Sequence, residues 1–251
     1  MSISESPIAV RRYARDGGLQ PPERTVLEVF AADLPGWDVL DIGVGAGRTT
    51  AHLAGRARSY RAVDYSESMV AACRGRFPEL ADRISVMDVC DLSALGDDAF
   101  DFVLFSFNGL DYLPSYDARQ LALREIRRVT RPGGVFTFSS HNLDNPDLFS
   151  FRAKAATGLR QKVEHVVKHG YRLLANTGYL EARGRPWARL RDGGHLFTLT
   201  NFYVKPGEQR LELERHGFTD VRLYGLADGR ELASDRGIED PWVYYSCRVR
   251  K

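Results

Sequence analysis

The sequence predicts a doubly wound α/β fold around a mostly parallel sheet. Two observations predict it: short apolar runs end in polar residues, and segments of helical periodicity separate these runs. The runs interpreted as buried strands are 38–42, 60–64, 84–88, 102–107 and 135–139. In such a fold, ligands bind beyond the carboxyl ends of the strands.

The helices of the first half are marked by their ends. Apolar residues at helical spacing follow Pro21-Pro22 and stop at Pro35-Gly36, which predicts a helix between these pairs. Residues 66–77 and 116–130 have the same periodicity, and the Pro-Gly-Gly at 132–134 is expected to stop the second helix.

The second half is less regular. Residues 142–174 are polar and basic, and we expect them to be helical and partly exposed. The pattern then predicts a strand over 195–203, a helix over 207–216, and strands over 220–224 and 242–249. A closing pair of strands predicts an antiparallel strand added to the parallel sheet.

Length and composition indicate one domain. A chain of 251 residues with 43% hydrophobic content can bury one substantial core. We expect a single domain over residues 1–251, with four parts: an N-terminal helical segment (1–36), a ligand-binding core (37–141), an insertion (142–202) and the remainder of the sheet (203–251).

Charge and cysteine content exclude several classes of protein. The balance of 35 Lys+Arg against 33 Asp+Glu leaves a net charge of +2, so no nucleic-acid partner is expected. Three scattered cysteines without ligand spacing argue against a disulfide framework and against a zinc site. The sequence has no apolar leader and no apolar run of about 18 residues, so we expect a cytoplasmic protein without a membrane span.

A glycine-rich turn, DIGVGAG, follows the first predicted strand. Its glycines allow a tight turn and a close approach of the backbone to a nucleotide-like ligand. The dinucleotide fingerprint G-x-G-x-x-G fails, because Arg48 takes its last position. Asp41 before the glycines suits a positively charged ligand better than a pyrophosphate. A purely structural turn is the alternative.

Two further acids end predicted strands. Asp64 ends the second strand, 17 residues after Gly47, where a carboxylate can accept hydrogen bonds from both hydroxyls of a ribose. Asp88 ends the third strand, where it can accept the exocyclic amine of an adenine. Either residue alone is as readily a capping residue. Acids at three successive strand ends indicate a nucleoside ligand.

With these residues the chain resembles the class I S-adenosylmethionine (SAM)-dependent methyltransferases. The segments that look like the family's successive motifs are VLDIGVGAG, AVDYSESMV, ISVMDVCDL, FDFVLFSFNGLDYL and RVTRPGGVFTFSSHN. The resemblance covers residues 24–141 and, more loosely, the C-terminal part through EQRLELERHGFTDVRLYG. It implies a seven-stranded sheet whose last strand is antiparallel, with the insertion after the fifth strand.

The resemblance also implies SAM as the cofactor. By that resemblance the glycines flank the methionine part, Asp64 binds the ribose and Asp88 reads the adenine edge. The cofactor-binding residues implied in this way are Asp41, Gly43, Gly45, Gly47, Asp64, Tyr65, Met69, Asp88, Val89, Phe105 and Ser106. Met69 can equally be ordinary core, since methionine fills irregular gaps.

Methyl transfer to a hydroxyl or an amine also needs a general base. His141 follows the fifth strand and is the first candidate, and His195, which opens the strand after the insertion, is the second. A structural role is the alternative for both. The candidates to line the acceptor site are Tyr13, Asn108, Asp111, Tyr112 and Phe202, of which Asp111 is also a common turn-capping residue.

The insertion of about 60 residues is longer than a simple connection requires, so we expect it to form the acceptor pocket or its lid. Its aromatic residues suit an organic ring or a sugar, or else form the core of the lid itself. We therefore expect transfer of a methyl group to an oxygen or nitrogen of a small molecule, without a metal. An RNA or protein methyltransferase and a non-catalytic SAM-binding regulator remain alternatives, and the sequence does not indicate an oligomeric state.

Overall fold

The computed structural model of the protein describes residues 18–150, 158–192 and 199–250. The helices are α1 (Pro21–Val29), α2 (Thr50–Leu53), α3 (Glu67–Arg76), α4 (Tyr116–Val129), α5 (Pro146–Phe149), α6 (Leu159–Ala175) and α7 (Pro206–Arg215). The strands are β1 (Asp38–Ile42), β2 (Ser59–Asp64), β3 (Ile84–Val86), β4 (Phe100–Phe105), β5 (Thr130–His141), β6 (Trp187–Leu190), β7 (Asn201–Val204), β8 (Phe218–Tyr224), β9 (Glu231–Leu232) and β10 (Trp242–Val249).

In the described part of the chain, the central sheet has eight strands in the order β3-β2-β1-β4-β5-β10-β8-β9. Strands β1 to β5 pair in parallel. The last strand, β10, runs antiparallel between β5 and β8, as the sequence predicted. The predicted count of seven strands was wrong by one. The eighth strand is the two-residue β9, which is too short to produce a periodicity in the sequence.

Alternate side chains of the sheet enter two apolar cores. Leu40 of β1 packs in the core that contains Ile126 of α4 and Leu213 of α7. Its neighbour Val39 points the opposite way, into the core that contains Val26 of α1. Helices therefore cover both faces, which is the arrangement that buries a parallel sheet.

Two element boundaries differ from the sequence-based expectation. Strand β3 ends at Val86, so Asp88 lies in the turn that follows the strand. Helix α4 ends at Val129, and the Pro-Gly-Gly at 132–134 belongs to the irregular start of β5. There the pairing register between β4 and β5 shifts, which accommodates the turn residues within the strand.

The residues after β5 build a small layer of their own. Strands β6 and β7 form an antiparallel pair, and a third apolar cluster contains Leu143, Tyr179 and Tyr203. A parallel bridge between Asn142 and Val204 joins this layer to the end of β5. The layer therefore lies at the edge of the sheet where the strands from β1 to β5 end.

Helix α6 agrees with the predicted helical, partly exposed segment, because Val163, Val166 and Val167 on it are exposed. The strand predicted over 195–203 is observed from Asn201 to Val204, and residues 193–198 lie outside the described ranges. No helix in those ranges is both long enough and apolar enough to cross a bilayer.

Candidate cofactor and acceptor site

A cavity of about 480 Å³ opens at the carboxyl ends of β1, β2 and β4. The residues that line it are Asp41, Ile42, Gly43, Val44, Gly45, Ala46, Arg48, Thr49, Asp64, Tyr65, Met69, Met87, Asp88, Val89, Phe105, Ser106, Phe107, Gly109, Tyr112, Leu113, Pro114 and Leu199. This is the edge where a doubly wound sheet binds its ligands.

The glycine-rich turn forms the floor of the cavity. Gly43, Gly45 and Gly47 all have positive φ angles, of 64°, 57° and 83°. A Cβ atom on Gly45 would meet nothing within 4 Å, whereas one on Gly47 would lie 2.6 Å from Phe77. Gly45 therefore leaves room for a ligand, and Gly47 lets the turn pack on α3 and does not line the cavity.

Asp41 lies at the end of β1 and is fully buried. Its Oδ2 atom accepts hydrogen bonds from the hydroxyls of Thr49 at 2.5 Å and Tyr60 at 2.8 Å. Burial raises the pKa of Asp41 to about 6, even though these hydrogen bonds lower it. The carboxyl group therefore titrates close to neutral pH and responds to any charge placed in the cavity.

Asp64 ties the second strand to the glycine turn. Its two oxygens accept hydrogen bonds from the backbone N–H groups of Gly45 at 2.8 Å and Ser66 at 2.9 Å. Burial raises its pKa, and the two backbone hydrogen bonds lower it. Because each carboxylate oxygen has a second lone pair, Asp64 keeps the capacity to accept hydrogen bonds from a ligand.

Arg48 reaches the cavity from the turn and is held from behind by helix α1. Its guanidinium donates to both carboxylate oxygens of Glu23, at 2.5 and 2.6 Å. Glu23 also accepts hydrogen bonds from Ser106 and Tyr244, and from the backbone N–H of Gln20. Burial acts to raise the pKa of Glu23, but Arg48 and these donors together hold it below its usual value.

A second polar array lies beside the cavity, between β5 and the turn after β4. Asp111 is 0% exposed, and its Oδ2 accepts the backbone N–H of His141 at 2.6 Å and lies 2.9 Å from His141 Nδ1. Its Oδ1 accepts hydrogen bonds from Arg119 and Ser140, both at 2.8 Å. With both oxygens used in this way, Asp111 supports the site and does not line it.

Arg119 carries the array into α7. This guanidinium is 1% exposed and also donates to Glu212 at 3.1 Å and to Gln209 at 2.5 Å. Its guanidinium carbon lies 5.5 Å from the ring centroid of Phe202. Phe202 is therefore buried behind the array, and the structure does not place it on the cavity wall.

Residues 40–138 match the protein family described as a methyltransferase domain. An S-adenosylmethionine-dependent methyltransferase of Mesorhizobium loti superposes with a TM-score of 0.62 at 19% identity, over 90% of this chain and 97% of that chain. The chain contains a class I SAM-dependent methyltransferase domain. The cofactor of this family is S-adenosylmethionine.

Two curated relatives match this methyltransferase domain in sequence. The demethylmenaquinone methyltransferase of Mycobacterium tuberculosis is 38% identical over 101 residues, which are 40% of this chain and 39% of that protein. A ubiquinone/menaquinone biosynthesis C-methyltransferase of Burkholderia cenocepacia is 34% identical over 157 residues, which are 54% of this chain and 62% of that protein. The chain thus spans less than two thirds of the length of either relative.

The methyltransferase domain brings most of the predicted cofactor residues together. All of them except Gly47 line the cavity. Of the predicted acceptor residues, Tyr112 lines it, and Asn108 lies behind it with its Nδ2 atom 3.3 Å from His141 Nε2. Tyr13 and His195 lie outside the described residues.

Sequence reasoning did not find Arg48 and Glu23 as parts of the site. Arg48 had a signal, because it follows the last glycine of the turn and its side chain begins beside the ligand. Glu23 had none, because its partner lies 25 residues away in the chain. Among the described residues, no group of three or more His, Cys, Asp or Glu is placed to hold a metal ion.

Proposed function

We propose that this methyltransferase domain binds SAM in the cavity and transfers a methyl group to an oxygen or nitrogen of a small molecule. The observation that carries the proposal is the cavity itself, onto which Gly45 opens and which Asp64 and Asp88 border from successive strand ends. Its volume of about 480 Å³ lies within the usual range of small-molecule sites.

The residues of the cavity fit the parts of this cofactor. Gly45 leaves its backbone free to lie against the methionine part, and Asp64 has lone pairs for the ribose hydroxyls. The guanidinium of Arg48 suits the methionine carboxylate, while Asp41 supplies negative charge near a cationic ligand. Asp88 borders the cavity where an adenine edge would need a hydrogen-bond acceptor.

When bound, SAM supplies a methyl group on a positively charged sulfur. The protein then has to align the acceptor with that methyl group and exclude water. Tyr112, Leu113, Pro114 and Leu199 form a largely apolar part of the cavity wall, which suits an organic ring or a sugar face. We assign the acceptor to this part of the cavity.

His141 is the group proposed to take the proton of the acceptor. It follows β5 at this edge of the sheet, and its ring packs edge-on against Tyr112, with the ring centroids 6.4 Å apart. Its side chain keeps 10% of its surface exposed, so a ligand can reach it. His195 is the second candidate for this role.

The curated relatives favour a small-molecule acceptor. By their names, they act on demethylmenaquinone or in ubiquinone and menaquinone biosynthesis. The alternatives are an RNA or protein acceptor, or a regulator that binds SAM without turnover.

The test is incubation of the protein with methyl-labelled SAM and a cell extract separated into metabolite, RNA and protein fractions. We expect the label in the metabolite fraction, together with formation of S-adenosylhomocysteine. Label in the RNA or protein fraction would support a macromolecular acceptor. SAM binding by calorimetry without label in any fraction would support a regulator.

The role of His141 is tested by His141→Ala, with His52→Ala on α2 as the control. We expect single-turnover methyl transfer to fall by about 10² to 10⁴-fold in His141→Ala, the usual contribution of a general base. SAM affinity should not change, because the proposed cofactor contacts lie elsewhere. A rate within about threefold of wild type, below the range of such catalysis, would leave His141 with a structural role.

A further inference from the structure

We infer that Asp111 is a positioning residue that holds His141 in the tautomer with its proton on Nδ1, so that Nε2 is the basic atom. The inference rests on the proposed role of His141 as the acceptor of the substrate's proton. It assigns to Asp111 a task different from the acceptor contact expected from the sequence.

The hydrogen bonds around the imidazole determine this tautomer. Asp111 Oδ2 lies 2.9 Å from His141 Nδ1, and a carboxylate has lone pairs only, so Nδ1 must donate. A neutral imidazole with its proton on Nδ1 has a lone pair on Nε2. The amide Nδ2 of Asn108, 3.3 Å from Nε2, is a donor and matches that lone pair.

The imidazole is also fixed in place by the fold. Asp111 Oδ2 accepts the backbone N–H of the same histidine at 2.6 Å, which ties the end of β5 to the turn after β4. The ring of His141 packs against Tyr203, with the ring centroids 4.8 Å apart, and against Trp242 at 6.3 Å. The ring therefore keeps one orientation toward Asp111.

Arg119 makes a charged Asp111 tolerable in the interior. A buried carboxylate is costly unless it is paired and fully hydrogen-bonded. Here Arg119 and Ser140 donate to Oδ1 while His141 donates twice to Oδ2, so every oxygen has partners. Glu212 and Gln209 in turn hold the guanidinium of Arg119.

The step that this arrangement supports is balanced. The O–H or N–H bond of the acceptor breaks as its oxygen or nitrogen forms the bond to the methyl carbon, and the electron pair of the carbon–sulfur bond stays on sulfur. The proton moves to Nε2 of His141. The imidazolium formed is stabilised by the carboxylate of Asp111 and releases the proton to solvent afterwards.

The test is Asp111→Asn, which keeps the size of the side chain. Its amide oxygen should face Arg119, because a guanidinium cannot accept a hydrogen bond and carries a charge. The amide NH₂ group then faces Nδ1 and donates to it, which moves the proton of His141 to Nε2. The control is Ser140→Ala, which removes one hydrogen bond to Oδ1 and leaves the contact with the imidazole intact.

The readout is the ¹⁵N NMR spectrum of histidine-labelled protein, with His141→Gln used to assign the signal. We expect the Nδ1–H tautomer in wild type and in Ser140→Ala, and the Nε2–H tautomer in Asp111→Asn. Turnover of Asp111→Asn should fall by about 10² to 10³-fold, within the range of general-base catalysis, without a change in SAM affinity.

Two results would overturn the inference: an Nε2–H tautomer in wild type, or an Nδ1–H tautomer retained in Asp111→Asn. The wild-type spectrum decides the first of these even when the variant does not fold. If the tautomers are as expected but His141→Ala turns over at the wild-type rate, the positioning by Asp111 stands and the proposed base is wrong. The two failures are therefore distinguishable.

Discussion

At the scale of single residues, three glycines with similar backbone angles have different functions. A Cβ atom on Gly43 would lie 2.9 Å from the ring of Phe105, and one on Gly47 would lie 2.6 Å from Phe77. At Gly45 the same atom would enter the cavity. Packing therefore explains the first two glycines, and space for a ligand explains the third.

Gly45→Val should abolish SAM binding in a protein that still folds. The side chain would stand in the cavity, so we expect the affinity to fall at least about 100-fold, equivalent to about 2.7 kcal/mol. Calorimetry with SAM measures this change. Gly237→Val is the matched control, because Gly237 also has a positive φ angle, of 71°, and no neighbour within 4 Å, but lies outside the cavity. Equal SAM binding by the two variants would refute the assignment of the turn.

The affinity for SAM should depend on pH through Asp41. Burial raises the pKa of this carboxyl group to about 6, and a cationic ligand favours its ionised form. Binding therefore releases a proton when the pH is below about 6, so the affinity should rise with pH up to that point and then level off. Below it, the dissociation constant should change by up to about tenfold per pH unit.

The measurement for Asp41 is a SAM titration between pH 5 and pH 8 for wild type and for Asp41→Asn. The amide cannot ionise, so we expect the dependence near pH 6 to disappear in the variant. The same dependence in both proteins would show that another group is responsible.

At the scale of elements, helix α1 is part of the cofactor site although it lies outside the predicted core of residues 37–141. Its Glu23 is 2% exposed and bridges Arg48, Ser106 and Tyr244, which come from the glycine turn, the end of β4 and β10. A buried carboxylate with these donors fixes the helix on the sheet. It also fixes the direction from which Arg48 enters the cavity.

Glu23→Gln should therefore affect both stability and binding. Removing one charge of a buried pair costs about 3 kcal/mol, because the remaining guanidinium loses its compensation. We expect the free energy of unfolding to fall by about that amount and the affinity for SAM to weaken. Urea denaturation and calorimetry measure the two changes.

The control for Glu23→Gln is Glu28→Gln, which removes the same charge from the exposed face of the same helix. Its unfolding free energy should stay within about 0.5 kcal/mol of wild type, as for most surface substitutions. If both variants behaved alike, the bridge to Arg48 would have no energetic role.

At the scale of the whole molecule, the site joins parts of the chain that are far apart in sequence. Arg119 of α4 is bonded to Glu212 of α7, 93 residues later, and through Asp111 to His141 at the end of β5. The cofactor cavity is built mainly by the first half of the chain. The array next to it also needs α7.

Methyl transfer should proceed without a metal ion. The methyl group of SAM is already activated by the positive sulfur, and among the described residues no cluster of metal-ligating side chains is present. We therefore expect the rate to be unchanged in EDTA and after addition of magnesium. The check is a methyl-transfer assay on protein dialysed against chelator. Loss of activity that magnesium restores would require a metal-assisted mechanism.

The sequence by itself determined the order of strands and helices up to β5, the antiparallel last strand and most of the cavity lining. These features depend on local properties: periodicity, a glycine turn and acids at strand ends. For the same reason the sequence missed β9, which has only two residues, Glu231 and Leu232, and so no period to detect.

Only the tertiary structure decided which polar residues meet. Glu23 and Arg48 are 25 residues apart, Asp111 and His141 are 30 apart, and Arg119 and Glu212 are 93 apart. A buried charge must be paired, but its partner can come from any element that the fold brings near. Such pairs leave no periodic signal in the chain, so the structure was needed to turn Asp111 from a candidate acceptor contact into the partner of His141.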